Sequence, residues 1–276
     1  MKKTGKKSVL RAGLIGCGVI GSGLSVFLEK NFAARVKITA LCDHHEDRAR
    51  SLSARLRGRP RLMALEPLLQ NCDLILEAAS PSAASEILRL AGGDPTKTIL
   101  LMSVGGFFQG KSTVDLQKLR ARIMVPSGAI TGVDGVLAAR EAGIRSAVLR
   151  TRKPPAGLQS ADYFRTHSFP KLKGSREVCV FRGAAAQAVK LFPQNINVAA
   201  VLSLAGTGFQ KTRVEIWTSL AYRRNSHEIE VVHGGGTLRT IAENLPSPDN
   251  PKTSALAVQA AQAALRRLFT SVHLGT

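Results

Sequence analysis

Residues 9–21 read Val9-Leu10-Arg11-Ala12-Gly13-Leu14-Ile15-Gly16-Cys17-Gly18-Val19-Ile20-Gly21, and two opposed readings meet on them. A lysine-rich start followed by Leu14-Ile15-Gly16-Cys17 has the look of a lipid-modified export signal. The same letters hold Gly16-x-Gly18-x-x-Gly21, the turn that cradles a dinucleotide pyrophosphate. The export reading fails on length. Only residues 12–16 separate Arg11 from Cys17, whereas a signal needs an apolar core of about 7–15 residues. Residues 12–28 carry no charge, but glycines at 13, 16, 18, 21 and 23 make a membrane helix there unfavourable. No later segment is an uncharged apolar run of spanning length. The expectation is a cytoplasmic protein with no membrane association.

Working outward, Val9–Ile15 predicts a strand, Ser22–Asn31 a helix, and Val36–Cys42 a second strand ending at Asp43. Strand, glycine turn, helix, strand and acid in this order make the motif specific. Gly16 permits the tight turn, Gly18 lets phosphate approach the backbone, and Gly21 lets helix and strand pack closely. The helix start supplies free N–H groups and a partial positive charge that favour phosphate, and Val19 and Ile20 count with the three glycines as expected cofactor contacts. Asp43 can accept hydrogen bonds from the adenosine ribose, which favours NAD, or can cap its own strand. His44, His45 and Arg48 follow and can bind a 2′-phosphate, so both NAD and NADP stay open.

The alternation continues through helix Asp47–Leu56, strand Leu62–Leu65 and a helix from Glu66. A buried strand from Asp73 that runs into a loop at Ala78–Pro81, helix Pro81–Ala91 and strand Thr98–Val104 follow. This pattern predicts an α/β, Rossmann-type doubly wound parallel sheet. Ligands of such sheets bind beyond the carboxyl ends of the strands, so Ala79 and Ser80 fall on the cofactor side. Glu77 reads equally as a site carboxylate or as a strand-end fixture.

From Ile123 the pattern changes. A short apolar strand leads through Ser127, a candidate N-cap, into a helix over about 128–142. Strand Ile144–Thr151 and a Pro/Lys/Ser-rich loop over 153–173 follow. Then come helix Ala184–Leu191 and an Ala/Leu-rich helix ending at Gly206. Strand-like runs cover 212–221, 228–233 and 237–242, the last two joined by Gly234-Gly235-Gly236 as a hairpin. The expected plan is a dinucleotide domain over 1–122 completed by the C-terminal helix of 251–276. A second α+β domain with a mixed or antiparallel sheet takes 123–250.

The chain has 276 residues, 4 Cys without metal or disulfide spacing, and a formal net charge of +20. The thiols fit a reducing compartment. The charge would attract polyanions, but aromatics are only 5% of the chain and offer bases no stacking platform. Nucleic acid is therefore not the expected partner. Cys17 reads as a small side chain within the glycine turn, not as a nucleophile.

These residues together resemble the L-aspartate dehydrogenase family over about residues 10–270. The resemblance rests on the glycine turn, on Pro126-Ser127-Gly128-Ala129-Ile130 with Gly132 and Asp134, and on Phe192-Pro193 before Asn195-x-Asn197-Val198-Ala199-Ala200. Asn225-Ser226-His227-Glu228-Ile229 and Asn250-Pro251-Lys252-Thr253-Ser254 complete it. The basic start, the loop over 153–176 and the net charge lie outside that pattern. The resemblance implies NAD- or NADP-dependent oxidation of L-aspartate to iminosuccinate. That product yields oxaloacetate and ammonia or feeds NAD biosynthesis through quinolinate. It implies that Ala129 and Asn197 contact the cofactor, that His227 is catalytic, and that the enzyme is a homodimer.

Deamination needs a neutral amine, and histidine is the usual proton acceptor near neutral pH. His167 and His233 compete with His227 for that role. The two substrate carboxylates call for fixed donors. Lys252, Thr253 and Ser254, placed at a helix start, suit one of them, though they can equally cap the helix. Ser127, Asn195 and Asn225 complete the substrate candidates. Two alternatives follow: a reductase of another small dicarboxylic imine or semialdehyde, and a non-catalytic NAD-binding protein with a polyanion partner.

Overall fold

The computed structural model describes residues 9–109, 112–159, 161–192, 197–247 and 250–275. The chain divides into two compact units. One takes the chain up to Gly106, Val114–Pro126 and Ala261–Val272; the other takes Phe107–Thr113, Ser127–Ala260 and the residues from His273.

In the first unit β1 (Leu10–Ile15), α1 (Val19–Phe32), β2 (Val36–Cys42), α2 (Glu46–Arg55), β3 (Arg61–Leu62), α3 (Leu65–Asn71), β4 (Leu74–Glu77), α4 (Pro81–Ala91) and β5 (Thr98–Leu101) alternate. A ribbon of the second unit, β6 (Phe108–Gln109) and β7 (Ser112–Thr113), precedes β8 (Arg122–Met124). The six-stranded sheet has the order β3-β2-β1-β4-β5-β8, and every neighbouring pair is parallel. This is the Rossmann order, with the crossing point between β1 and β4. All four residues of β4 are buried, as a strand covered on both faces requires. Leu14, Leu24, Leu28, Ile38, Leu74, Leu76 and Leu100 form the core with Ala261 and Leu265.

The second unit holds α5 (Val133–Glu141), β9 (Ile144–Lys153), β10 (Val178–Ala184), α6 (Ala185–Leu191), α7 (Asn197–Ala205), β11 (Arg213–Thr218), β12 (Asn225–His233) and β13 (Gly236–Asn244). A short pair, β14 (Pro246–Ser247) and β15 (Asn250–Ser254), follows, and α8 (Ala255–Arg267) begins here. Its five-stranded sheet has the order β10-β11-β9-β12-β13, parallel only between β11 and β9. β9 alternates in burial. Ala147, Leu149, Thr151 and Lys153 lie on the buried face; Arg150 and Arg152 lie on the other.

Several expected elements are corrected. The helix expected over 128–142 starts only at Val133, because Gly128 (φ +68°) and Gly132 (φ +78°) adopt left-handed backbone that interrupts a right-handed helix. Gly132, not Ser127, occupies the N-cap. A side chain at Gly132 would run into Thr240. β10 was not expected from the sequence, since the basic loop before it masks its short alternation. Lys252, Thr253 and Ser254 lie in a strand paired with β14, and the helix starts after them. The strand expected to reach Val104 stops at Leu101.

Candidate functional site

The glycine turn connects β1 to α1. Gly16 has φ +93°, and a Cβ there would strike the backbone of Ala78 and Ala79. A Cβ on Gly21 would overlap the carbonyl of Gly16. Gly18 differs, since a Cβ built there would meet nothing within 4 Å. Gly18 is also the N-cap of α1 and supplies no side-chain cap. The first N–H groups of α1, at Val19 and Ile20, therefore lack a capping side chain beside open space, which is the donor set a phosphate needs.

Asp43 follows β2. Its Oδ2 accepts from Cys17 N at 2.6 Å and its Oδ1 from His45 N at 2.7 Å. The carboxylate thus holds the glycine turn in place, and each oxygen keeps a second lone pair. Burial pushes the Cys17 thiol up to about 12, with further help from Asp43 and Cys42, so it stays protonated. That protonation rules out a thiolate nucleophile at working pH.

Glu77 ends β4 fully buried. Its Oε1 accepts from Ala79 N, Ser80 N and Ser103 Oγ, and its Oε2 from Met102 N and Ser103 N, at 2.7–3.1 Å. Burial raises its proton affinity, while these donors oppose the shift. Glu77 is the fixture that ties together the loops after β4 and β5, so the strand-end reading describes its role. Ser80 caps α4, its Oγ accepting from Ala83 N at 3.2 Å.

In the second unit the polar residues gather at one end of the sheet. His227 on β12 lies opposite Thr151 on β9 and is 5% exposed. Its Nδ1 is 3.1 Å from Thr151 Oγ1. Burial, reinforced by the charge of Lys153, pushes its pKa down to about 3, so the ring is neutral. Asn225 opens β12 half-buried and pairs with Asn244 of β13. Asn244 Nδ2 donates to Ala129 O at 2.9 Å, and Thr240 Oγ1 donates to Thr131 O at 3.0 Å. These two bonds hang the loop bearing Ser127 and Ala129 on β13. Ser127 is half-buried and Ala129 buried. Ser254, ahead of α8, is buried with an unpartnered Oγ among the described residues.

Of the other sequence-predicted residues, Asn197 is the first residue of α7 and is exposed. Asn195 and the side chains of Lys252 and Thr253 lie outside the described residues. His167 is exposed and stacked on Tyr163; His233 sits at the hairpin end of β12, away from His227. The residues that sequence reasoning missed are Thr151, Lys153 and Asn244. A signal existed for the first two. The alternation that buries Ala147 and Leu149 carries Thr151 onto the same face, and Lys153 follows at the next step.

A family model described as aspartate dehydrogenase, C-terminal, matches residues 134–268, and one described as homoserine dehydrogenase, NAD binding domain, matches residues 16–122. The chain is 40% identical over 276 residues to an L-aspartate dehydrogenase of Methanosarcina acetivorans, covering 97% of this chain and 100% of that one. It is 34% identical to an L-aspartate dehydrogenase of Nitrosopumilus maritimus, covering 96% and 99%. The chain belongs to the L-aspartate dehydrogenase family. A solved aspartate dehydrogenase from Thermotoga maritima has the same architecture, with a TM-score of 0.73 at 27% identity over 97% of this chain and 100% of that one.

As a member of the L-aspartate dehydrogenase family, the protein is an NAD- or NADP-dependent oxidoreductase. The residues present fit that cofactor: the space at Gly18, the uncapped start of α1 and the carboxylate after β2 are the parts a dinucleotide requires. Among the described residues no cluster of His, Cys, Asp or Glu could hold a metal ion. Nor is any helix among them long and apolar enough to cross a membrane.

Proposed function

We propose that this protein oxidises the Cα–N bond of L-aspartate, with His227 as the catalytic base. The observation that carries the reading is His227 itself: buried, neutral, and bonded through Nδ1 to Thr151. With Nδ1–H donating to Thr151 Oγ1, the Nε2 lone pair is the free basic site. A bound nicotinamide ring supplies the hydride acceptor. With the substrate's carboxylates beside the ring raising its proton affinity, His227 Nε2 takes a proton from the substrate ammonium, and the freed nitrogen lone pair forms the C=N bond as hydride leaves Cα. The protonated ring can then return its proton as water adds to the imine, giving oxaloacetate and ammonia. The same groups serve both directions, and the imine is also the form that NAD biosynthesis would draw on. Ser127, Asn225 and Ser254, with Asn195, Lys252 and Thr253, are the proposed substrate contacts. Gly16, Gly18, Val19, Ile20, Gly21, Asp43, Ala79, Ser80, Ala129 and Asn197 are those of the cofactor. The free thiols of all four cysteines accord with a cytoplasmic setting.

The test is NADH or NADPH consumption with oxaloacetate plus ammonia. Turnover is expected, and His227→Ala should lower it by about 10²- to 10⁴-fold with dinucleotide affinity unchanged. Turnover of another keto acid in place of oxaloacetate would replace the substrate assignment.

NAD is the proposed preference. Asp43 is fixed by two backbone donors at the end of β2, where a 2′-phosphate would meet like charge. A kcat/KM ratio favouring NADPH would overturn this. The homodimer is proposed from the exposed side of the second sheet. There Arg150, Arg152, Arg182 and Arg239 pair with Glu215, Glu228 and Glu230 around an exposed Ile241. Sedimentation at the monomer mass would refute it.

A further inference from the structure

Glu77 stands where the two halves of the first sheet meet. The dinucleotide of such a fold lies across the carboxyl ends of the strands at the crossing point, one mononucleotide over each half. Here β3, β2 and β1 make one half and β4, β5 and β8 the other. Asp43, which follows β2, marks the adenosine half. The nicotinamide half therefore belongs to the loops that follow β4 and β5, and both loops converge on one side chain.

Glu77 Oε1 accepts from Ala79 N and Ser80 N of the first loop and from Ser103 Oγ of the second, at 2.7–3.1 Å. Oε2 accepts from Met102 N and Ser103 N of the second loop at 3.1 and 2.9 Å. The first loop is also seated against the glycine turn. Ala78 N donates to Ile15 O at 2.8 Å, and Gly16 leaves no room for a Cβ beside Ala78 and Ala79. The second loop is seated on the start of α4, where a Cβ at Gly106 would strike Pro81 O and Ala84. Every printed partner of the carboxylate is thus a donor, either a backbone N–H or a hydroxyl. Among side chains, an ionised carboxylate alone offers two oxygens that accept without donating. An amide in its place would turn an NH2 group toward the N–H donors of one loop. Glu77 is fully buried, so water cannot stand in for a lost acceptor.

We propose that Glu77 is a positioning residue for the nicotinamide half of the cofactor, setting the backbone of both loops before the dinucleotide arrives. The inference rests on the cofactor contacts proposed at Ala79 and Ser80 and is independent of His227. A loop that is already ordered loses little freedom on binding, so the effect of Glu77 falls on affinity for the nicotinamide half. The adenosine half is held by the glycine turn and Asp43.

NADH and ADP are the probes, titrated calorimetrically into the full-length protein. ADP carries the adenosine and the pyrophosphate without the nicotinamide half. The wild type should bind NADH more tightly than ADP. Glu77→Gln should weaken NADH by about 10- to 100-fold, the range for lost bonds to a charged acceptor, and ADP by no more than a few-fold. Should Glu77→Gln fail to fold, Ser103→Ala decides. It removes one donor to the carboxylate and should weaken NADH by about three- to tenfold with ADP unchanged. A role confined to stability lowers the melting temperature and leaves the ratio of the two affinities where it was. An unchanged ratio in the folded variants therefore overturns the inference, while the contacts at Ala79 and Ser80 stand if the wild type prefers NADH. A wild type that binds NADH and ADP alike removes those contacts and the role of Glu77 together.

Discussion

His227 shows how little of a side chain's role lies in its identity. Six histidines occur in the chain, and what distinguishes this one is its depth. Thr151 Oγ1 stands 3.1 Å from Nδ1, and burial pushes the ring's pKa down to about 3. A surface histidine would titrate near neutrality and spend part of its time protonated. Here the neutral form prevails, and the bond to the hydroxyl fixes the orientation of the ring. Thr151→Val keeps the shape and the β-branched strand propensity while removing that hydroxyl. The expected result is a fall of about tenfold in kcat, the size of one neutral hydrogen bond, with KM for the dinucleotide unchanged. Steady-state kinetics on the two proteins decide it; an unaltered kcat would mean that the ring is oriented by other contacts.

At the scale of elements, the glycine turn separates two kinds of glycine requirement. Gly16 and Gly21 are structural: one needs positive φ and the other leaves no room for a Cβ beside a carbonyl. Gly18 has ordinary backbone, φ −69°, and open space where a Cβ would go. Gly18→Ala should therefore leave the melting temperature unchanged and cost dinucleotide affinity, read by fluorescence titration. Gly21→Ala should lower the melting temperature by several degrees. The first unit was legible because hydrophobic runs, glycine turn and terminal acid each state their own period or spacing; β2 and α4 begin and end where the sequence reading put them. The second unit was legible in its hairpin but not at 125–132. There the small residues before Val133 look like a helix start, while the left-handed Gly128 and Gly132 belong to a loop held by Asn244 and Thr240 of β13. Those two bonds cross more than a hundred residues of sequence, and no local pattern announces them. The site's histidine was reached through resemblance to a family, whereas Thr151 and Lys153 needed the register of β9 against β12.

Across the whole molecule, buried groups of both signs make stability depend on pH in opposing ways. His227 and Lys153 have depressed pKa values, about 3 and about 8. The unfolded chain therefore binds their protons more readily, and stability rises with pH between about 3 and 6.5 for the first and between 8 and 10.5 for the second. Glu77 and the cysteines, raised by burial, work the other way: the folded state holds their protons longer, and stability falls as pH climbs past their ordinary values. A raw stability curve mixes all of these, so the useful quantity is the difference between Lys153→Met and wild type. Below pH 8 the wild type carries a charged, buried Lys153 that the variant lacks. A depression from 10.5 to about 8 corresponds to a penalty on the order of 3 kcal/mol. Denaturant unfolding at pH 7 should find the variant more stable by up to that amount. The advantage should shrink steadily as pH rises from 8 to 10.5, because the folded chain then holds the lysine neutral and the cost of removing its proton falls away as pH nears its ordinary value. An advantage that stays constant across this pH range would show that the substitution acts through packing, and that the charge at the end of β9 is not under strain.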